Sequence, residues 1–187
     1  MGTALNDMKI AFLIASEGAE QPEFLHPWDA LSAQGARPSL VCPDAGEAQL
    51  FDHLDRGRKV PVDVVLADAD ADRFDALVLP GGVANPDFLR MQPEAVNFAK
   101  SFFTARKPVA AICHAPWLLI EADEVRGRTL TSWPSLRTDL TNAGADWVDR
   151  QVVVCENGPN LLITSRKPQD LPAFNDAVIE HFARVRV

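Results

Sequence analysis

Short apolar runs recur along the chain, and they are unbroken rather than alternating. Ile10–Ala15, Asp75–Pro80, Pro108–Cys113, Gln151–Cys155 and Leu161–Thr164 are such runs. Runs of four to six residues, rich in Val, Ile and Leu, predict strands buried on both faces. Between them the apolar spacing turns helical. Glu23–Gln34 predicts a helix stopped by Gly35, and Ser135–Ala143 one stopped by Gly144. Pro93–Arg106 opens on a proline and carries Lys100 and Arg106 toward its end, which suits the helix dipole. Pro168–Arg184 opens with Asp170 and closes on basic residues. Strands alternating with helices predict an α/β fold: a single-domain, doubly wound, mainly parallel sheet with helices on both faces. The acidic stretch 67–72 reads as a surface turn.

On such folds ligands bind beyond the C-terminal ends of the strands, so the residues after each run are where chemistry is expected. Three places stand out. After Ala15 comes a turn-like segment, Ser16–Glu20, leading into a helix with Glu23 in its first turn. Acidic residues at helix N-termini are favourable in themselves, so chemistry and simple helix stabilisation both remain open for Glu20 and Glu23. After Leu79 comes Pro80-Gly81-Gly82. Paired glycines allow positive φ and close approach, and their N–H groups can hold an oxyanion or merely make a turn. After Ile112 comes Cys113-His114-Ala115-Pro116-Trp117. A strand running into Cys113 with a helix starting near Pro116 is a nucleophile-elbow layout. A helix N-terminus beside the sulfur is expected to favour thiolate. His114 can pair with its neighbour only if the backbone is distorted, because adjacent residues point apart on a strand. A base role and a packing role both stand for it.

The chain has 187 residues, enough for one domain spanning 1–187, with 1–8 read as a flexible lead. With 18 basic and 26 acidic residues the net charge is −8, which argues against binding to nucleic acid or to anionic membranes. No targeting segment is visible and no apolar run is long enough for a membrane span, so the expected location is cytoplasmic. Three cysteines cannot all pair within one chain. Cys42 and Cys155 read as buried structural thiols, and Cys113 alone has reactive context. No dinucleotide or phosphate-loop pattern and no metal-ligand spacing occurs, since His26, His53, His114 and His181 are scattered. No cofactor and no metal are expected.

Taken together, these motifs resemble the ThiJ/PfpI superfamily, within the class I glutamine amidotransferase-like, flavodoxin-like fold, and most of all its PfpI-type group of intracellular proteases, deglycases and general stress proteins. The similarity covers nearly the whole chain. Its carriers are Ala110–Pro116, Leu79–Gly82, Gly18–Glu23, Arg126–Ser132, Asn142–Val148 and Thr164–Leu171. The resemblance implies Cys113 as nucleophile, Glu23 hydrogen-bonded to its sulfur, and the N–H groups of Gly82 and His114 as an oxyanion pocket. It implies an acid from a neighbouring subunit that orients His114, with Asp87 the nearest match where the family usually has Glu. Gly81, Trp117, Trp133, Glu20 and His26 are expected around the substrate pocket. Ala115 replaces the usual Gly, Trp117 a common Gln and Trp133 a common Tyr. The implied assembly is a homodimer or larger, with the site near the interface.

Two anions in contact are costly, so a protonated Glu23 donating to a Cys113 thiolate is expected, the two titrating as a unit. Three activities follow from the resemblance. The first is hydrolysis or isomerisation of small reactive carbonyls or carbonyl-modified proteins, of glyoxalase or deglycase type. The second is a cysteine peptidase. The third is a non-enzymatic oxidative-stress sensor or holdase built on an oxidisable Cys113.

Overall fold

The computed structural model describes residues 4–185. Its elements are β1 (Lys9–Leu13), β2 (Glu17–Glu20), α1 (Gln21–Ala33), β3 (Arg37–Cys42), β4 (Glu47–Asp52), β5 (Asp55–Pro61), β6 (Val64–Val65), β7 (Ala76–Leu79), α2 (Ala84–Leu89), α3 (Pro93–Thr104), β8 (Val109–Ile112), α4 (Pro116–Glu121), β9 (Thr129–Leu130), α5 (Arg137–Asn142), β10 (Asp146–Trp147), β11 (Val152–Cys155), β12 (Leu162–Ser165) and α6 (Leu171–Val185). Seven strands form the central sheet in the order β11-β12-β8-β7-β1-β3-β6. Every pair in it is parallel except β11 with β12.

The unbroken apolar runs have a direct structural reason. Successive strand side chains point to opposite faces, and here both faces are covered. Ala11, Leu13, Leu77, Leu79, Val109 and Ala111 pack on one side with Phe98 and Phe102 of α3 and Leu118 of α4. Their neighbours Ile10, Phe12, Ala76, Val78, Ala110 and Ile112 pack on the other side with Phe24 of α1 and Phe174 and Phe182 of α6. Consecutive apolar residues along these strands are therefore all buried. Gly35 and Gly144 end their helices with φ of 85° and 92°, the left-handed conformation that glycine adopts without a Cβ penalty.

The structure departs from the sequence expectation beside the site and at the N-terminus. Ser16–Glu20 is more than a turn, because Glu17–Glu20 forms β2 and pairs parallel with β4. β4 and β5 form an antiparallel hairpin with its tip at His53 and Leu54, and it carries this small sheet over the C-terminal edge of the main one. Residues 4–8 are not a loose lead. Leu5 is fully buried, and its N–H donates to the Gln34 carbonyl. Burial of one leucine stabilises by about 1.5–3 kcal/mol, which is enough to dock a short segment. The part of that expectation on residues 1–3 lies outside the described residues.

Candidate functional site

Cys113 lies just past the end of β8. Its φ is 64°, in the left-handed region that a non-glycine residue rarely occupies. Backbone bonds on both sides hold it there. Its N–H donates to the Ser165 carbonyl at 3.1 Å, and its carbonyl accepts from Trp133 N–H at 2.9 Å. This twist makes the elbow. It also lets neighbouring side chains meet, with Cys113 Sγ 3.1 Å from His114 Nδ1. The sulfur is almost enclosed, with the residue 5% exposed.

Glu23, in the first turn of α1, is fully buried. Its Oε2 accepts from Gly81 N–H at 3.1 Å. Its Oε1 is buried with no hydrogen-bond partner among the described residues, and the Cys113 side chain adjoins the carboxyl across Gly81. Gly81 is the reason the two groups can meet. A Cβ there would lie 2.3 Å from Glu23 Oε2 and 2.5 Å from Cys113 Cβ. Gly82, with φ of 88°, lies so close to the Gly18 carbonyl that a Cβ would fall 2.1 Å from that oxygen. Asn85 fixes this loop from below. Its Oδ1 accepts from Ala15 N–H at 2.7 Å, and its Nδ2 donates to the carbonyls of Pro80 and Gly81 at 2.9 and 3.0 Å. One buried side chain thereby ties the end of β1 to the end of β7. No sequence signal had marked it.

Electrostatics follow from burial. Loss of water, then repulsion from Glu20, raises the Glu23 carboxyl to about 8. It therefore carries its proton at neutral pH, as the sequence reading expected. Burial, then the neighbouring Glu23, also raises the Cys113 thiol, while the N–H groups of Gly82 and His114 pull it down. Burial and Glu23 thus oppose the thiolate expected beside the α4 N-terminus, and the N–H groups of Gly82 and His114 favour it. Burial lowers His114 to about 4, so its ring is uncharged and can accept a proton.

These groups open on a cavity of about 450 Å³. Glu20, Glu23, Gly82, Cys113, His114 and Trp133 line it, as do Phe51, His53 and Leu54 from the hairpin. The hairpin residues were not anticipated, although alternating apolar positions at Ala48 and Leu50 hint at a strand. Three expected wall residues are elsewhere. His26 is on the exposed side of α1. Gly81 is behind Glu23, where no side chain fits. Trp117 lies on the far side of His114, its ring 5.2 Å away and tilted, while Trp133 stacks on His114 at 5.6 Å. Trp117 Nε1 donates to Asp139, and the Arg90 guanidinium covers its ring at 4.7 Å. Asp87 does not reach His114 within the chain. Its half-exposed carboxylate pairs with Arg90. All three cysteines are free thiols, and burial raises Cys42 as well.

Comparison with known proteins agrees with this architecture. The family model described as DJ-1/PfpI family matches residues 8–181. The chain belongs to the DJ-1/PfpI family. It is 41% identical over 167 residues to Deglycase PfpI of Pyrococcus furiosus, covering 89% of this chain and 95% of that one. It is 41% identical over 160 residues to General stress protein 18 of Bacillus subtilis, covering 83% and 87%. Drosophila melanogaster DJ-1beta superposes with a TM-score of 0.83 at 28% identity, over 95% of this chain and 91% of that one. Among the described residues of this family member, no helix is long and apolar enough to cross a membrane.

Proposed function

We propose that the chain is a cofactor-independent cysteine enzyme acting on small reactive carbonyls or carbonyl-modified side chains, in a stress-protective cytoplasmic role. The observation that carries this reading is the buried contact of Glu23 with Cys113. A carboxyl that keeps its proton up to about pH 8 adjoins the thiol, where it can give a proton to a carbonyl oxygen and take one from carbon.

With methylglyoxal, the Cys113 sulfur bonds to the aldehyde carbon. The carbonyl electron pair becomes an oxyanion facing the N–H groups of Gly82 and His114, and it takes up the thiol proton. Glu23 gives its proton to the ketone oxygen as it takes the hydrogen of the former aldehyde carbon, and then delivers that hydrogen to the adjacent carbon as it takes back the proton of the hemithioacetal hydroxyl. The ketone is reduced as the hemithioacetal is oxidised to a thioester. Water cleaves the thioester to lactate and frees the thiol, so no external oxidant or reductant is needed. Carbonyl adducts on lysine or arginine present the same carbons, and the relative named deglycase supports extending the reading to them. A 450 Å³ cavity takes one side chain more readily than an extended peptide, so peptidase activity is the less favoured reading.

The test is lactate formation from methylglyoxal by the purified chain. Turnover is expected to fall to background in Cys113→Ala, and equal turnover in that variant would overturn the proposal.

We further infer a homo-oligomer. Leu54, Val83 and Trp133 at the cavity mouth are exposed large apolar groups, and so are Phe88 and Met91 around the end of α2. Asp87 on the same helix is half exposed beside Arg90, and a neighbouring copy's histidine would share its carboxylate with that arginine. Light scattering is expected to give at least a dimer mass, and Val83→Asp with Met91→Asp is expected to lower it.

A further inference from the structure

The tip of the β4–β5 hairpin overhangs its own sheet. The pairing of β4 with β2 ends at Phe51 opposite Glu20, and His53 and Leu54 turn beyond it. Phe51, His53 and Leu54 nevertheless form one wall of the Cys113 cavity. Leu54 is 93% exposed, so packing does not hold it there. His53 has a φ of 58°, a left-handed backbone that a non-glycine residue adopts only at a cost. The wall needs an anchor outside the turn.

That anchor is Glu20. Its two carboxylate oxygens accept from the His53 N–H at 3.2 and 3.4 Å. Among the described side-chain hydrogen bonds, no other residue outside the hairpin reaches His53 or Leu54. Glu20 is nine-tenths buried, and a buried carboxylate is costly until a donor meets it. The His53 N–H is that donor. The Glu20 N–H in turn donates to the Gly81 carbonyl at 3.3 Å. One residue therefore joins the glycine loop beside Glu23 to the hairpin across the cavity. Its neighbour Gln21 ties the returning strand at the same junction, its Oε1 accepting from Arg58 N–H at 2.7 Å.

We propose that Glu20 is a positioning residue of the Cys113 site: through the His53 N–H, its carboxylate holds the hairpin tip as one wall of the cavity and so sets how closely a small molecule is confined over the sulfur. The kinetic consequence rests on the carbonyl reaction proposed above, whereas the placement of the hairpin does not. Three substitutions separate reach from charge. Glu20→Gln keeps the length and an oxygen that can accept from His53. Glu20→Asp keeps the charge but is one methylene shorter. Glu20→Ala removes both.

The test measures the exchange of the His53 amide hydrogen by NMR, the alkylation rate of Cys113 by iodoacetamide, and methylglyoxal kinetics, all on the full-length chain. A hydrogen bond to a charged acceptor is worth about tenfold or more in an equilibrium. The His53 amide is therefore expected to exchange about tenfold faster or more in Glu20→Ala and Glu20→Asp, and Glu20→Gln is expected to restore most of the protection. Cys113 should be alkylated faster in the Ala and Asp variants than in the Gln variant. KM for methylglyoxal should rise in the same order, and by more than kcat falls. Unchanged exchange at Val78 and Ala110, in the central sheet, checks that the fold is intact. Retained His53 protection in Glu20→Ala would overturn the proposal. So would Glu20→Asp protecting as well as Glu20→Gln, or faster exchange with no change in alkylation. If the unsubstituted chain turns over no methylglyoxal, the carbonyl reading falls, and exchange and alkylation still decide the role of Glu20.

Discussion

Glu23→Gln is expected to make the chain more stable at alkaline pH and nearly inactive. The folded carboxyl is raised from an ordinary 4.5 to about 8. Above pH 4.5 the unfolded chain gives up this proton while the folded chain keeps it, so folding loses stability as pH rises from about 4.5 to about 8. Below that window the penalty is absent, and above it the penalty is complete. Each tenfold change in proton affinity is worth about 1.4 kcal/mol, so the full penalty is several kcal/mol. Glutamine still accepts from Gly81 N–H and carries no charge at any pH. Urea melts should show the variant gaining most at pH 9 and little at pH 4, with a flatter pH dependence between. Glutamine cannot move a proton, and loss of a general acid–base typically costs about a hundred- to ten-thousand-fold in rate. Methylglyoxal turnover should fall by that factor. The unsubstituted enzyme should lose rate as pH passes about 8, where Glu23 loses its proton. A variant destabilised equally at pH 4 and pH 9 would contradict the assignment.

Gly81→Ala is expected to lower both stability and turnover through one added carbon. Gly81 is not among the positive-φ residues, so its backbone would suit alanine and the cost is one of space alone. The new Cβ would meet Glu23 Oε2 at 2.3 Å, Cys113 Cβ at 2.5 Å and the Ile112 carbonyl at 2.9 Å. The last two are fixed by β8 and by the bonds that hold Cys113, so neither can give way cheaply. Overpacking of this kind costs about 1–3 kcal/mol, and in a domain of this size each kcal/mol lowers Tm by about 2–4 °C. A calorimetric scan should show that loss, and turnover should drop as well because Glu23 is pushed off the sulfur. Gly127→Ala is the matching control. Nothing lies within 4 Å of its Cβ position, so it tests backbone strain without crowding and should leave turnover unchanged.

β1, β7, β8, β11 and β12 were legible because their residues are almost all apolar, and that pattern has few other readings. The Cys113 elbow was legible from a strand meeting a helix without a loop. The hairpin was not, since β5 carries Asp55, Arg56, Arg58 and Lys59 on a largely exposed strand, and such a segment reads as loop. β3 was also missed, because Pro38 sits within it and proline usually argues against an inner strand. The protonation of Glu23 could be argued from charge repulsion alone. The balance at Cys113 could not, because it depends on how completely the fold excludes water. Asn85 was invisible for a simpler reason: its tie to Ala15 at the end of β1 joins residues 70 apart in sequence.

The left-handed backbone at Cys113 sets stability and chemistry against each other at one position. A non-glycine residue held there costs roughly 1–3 kcal/mol, which glycine would relieve at once. Selection for a sturdy fold alone would therefore replace this cysteine by glycine, and a β-branched residue would fare worse than either. Variation at this position then becomes a readout of use. In a lineage that has abandoned the thiol's chemistry, glycine or asparagine should be what accumulates at residue 113, while the surrounding core stays as it is.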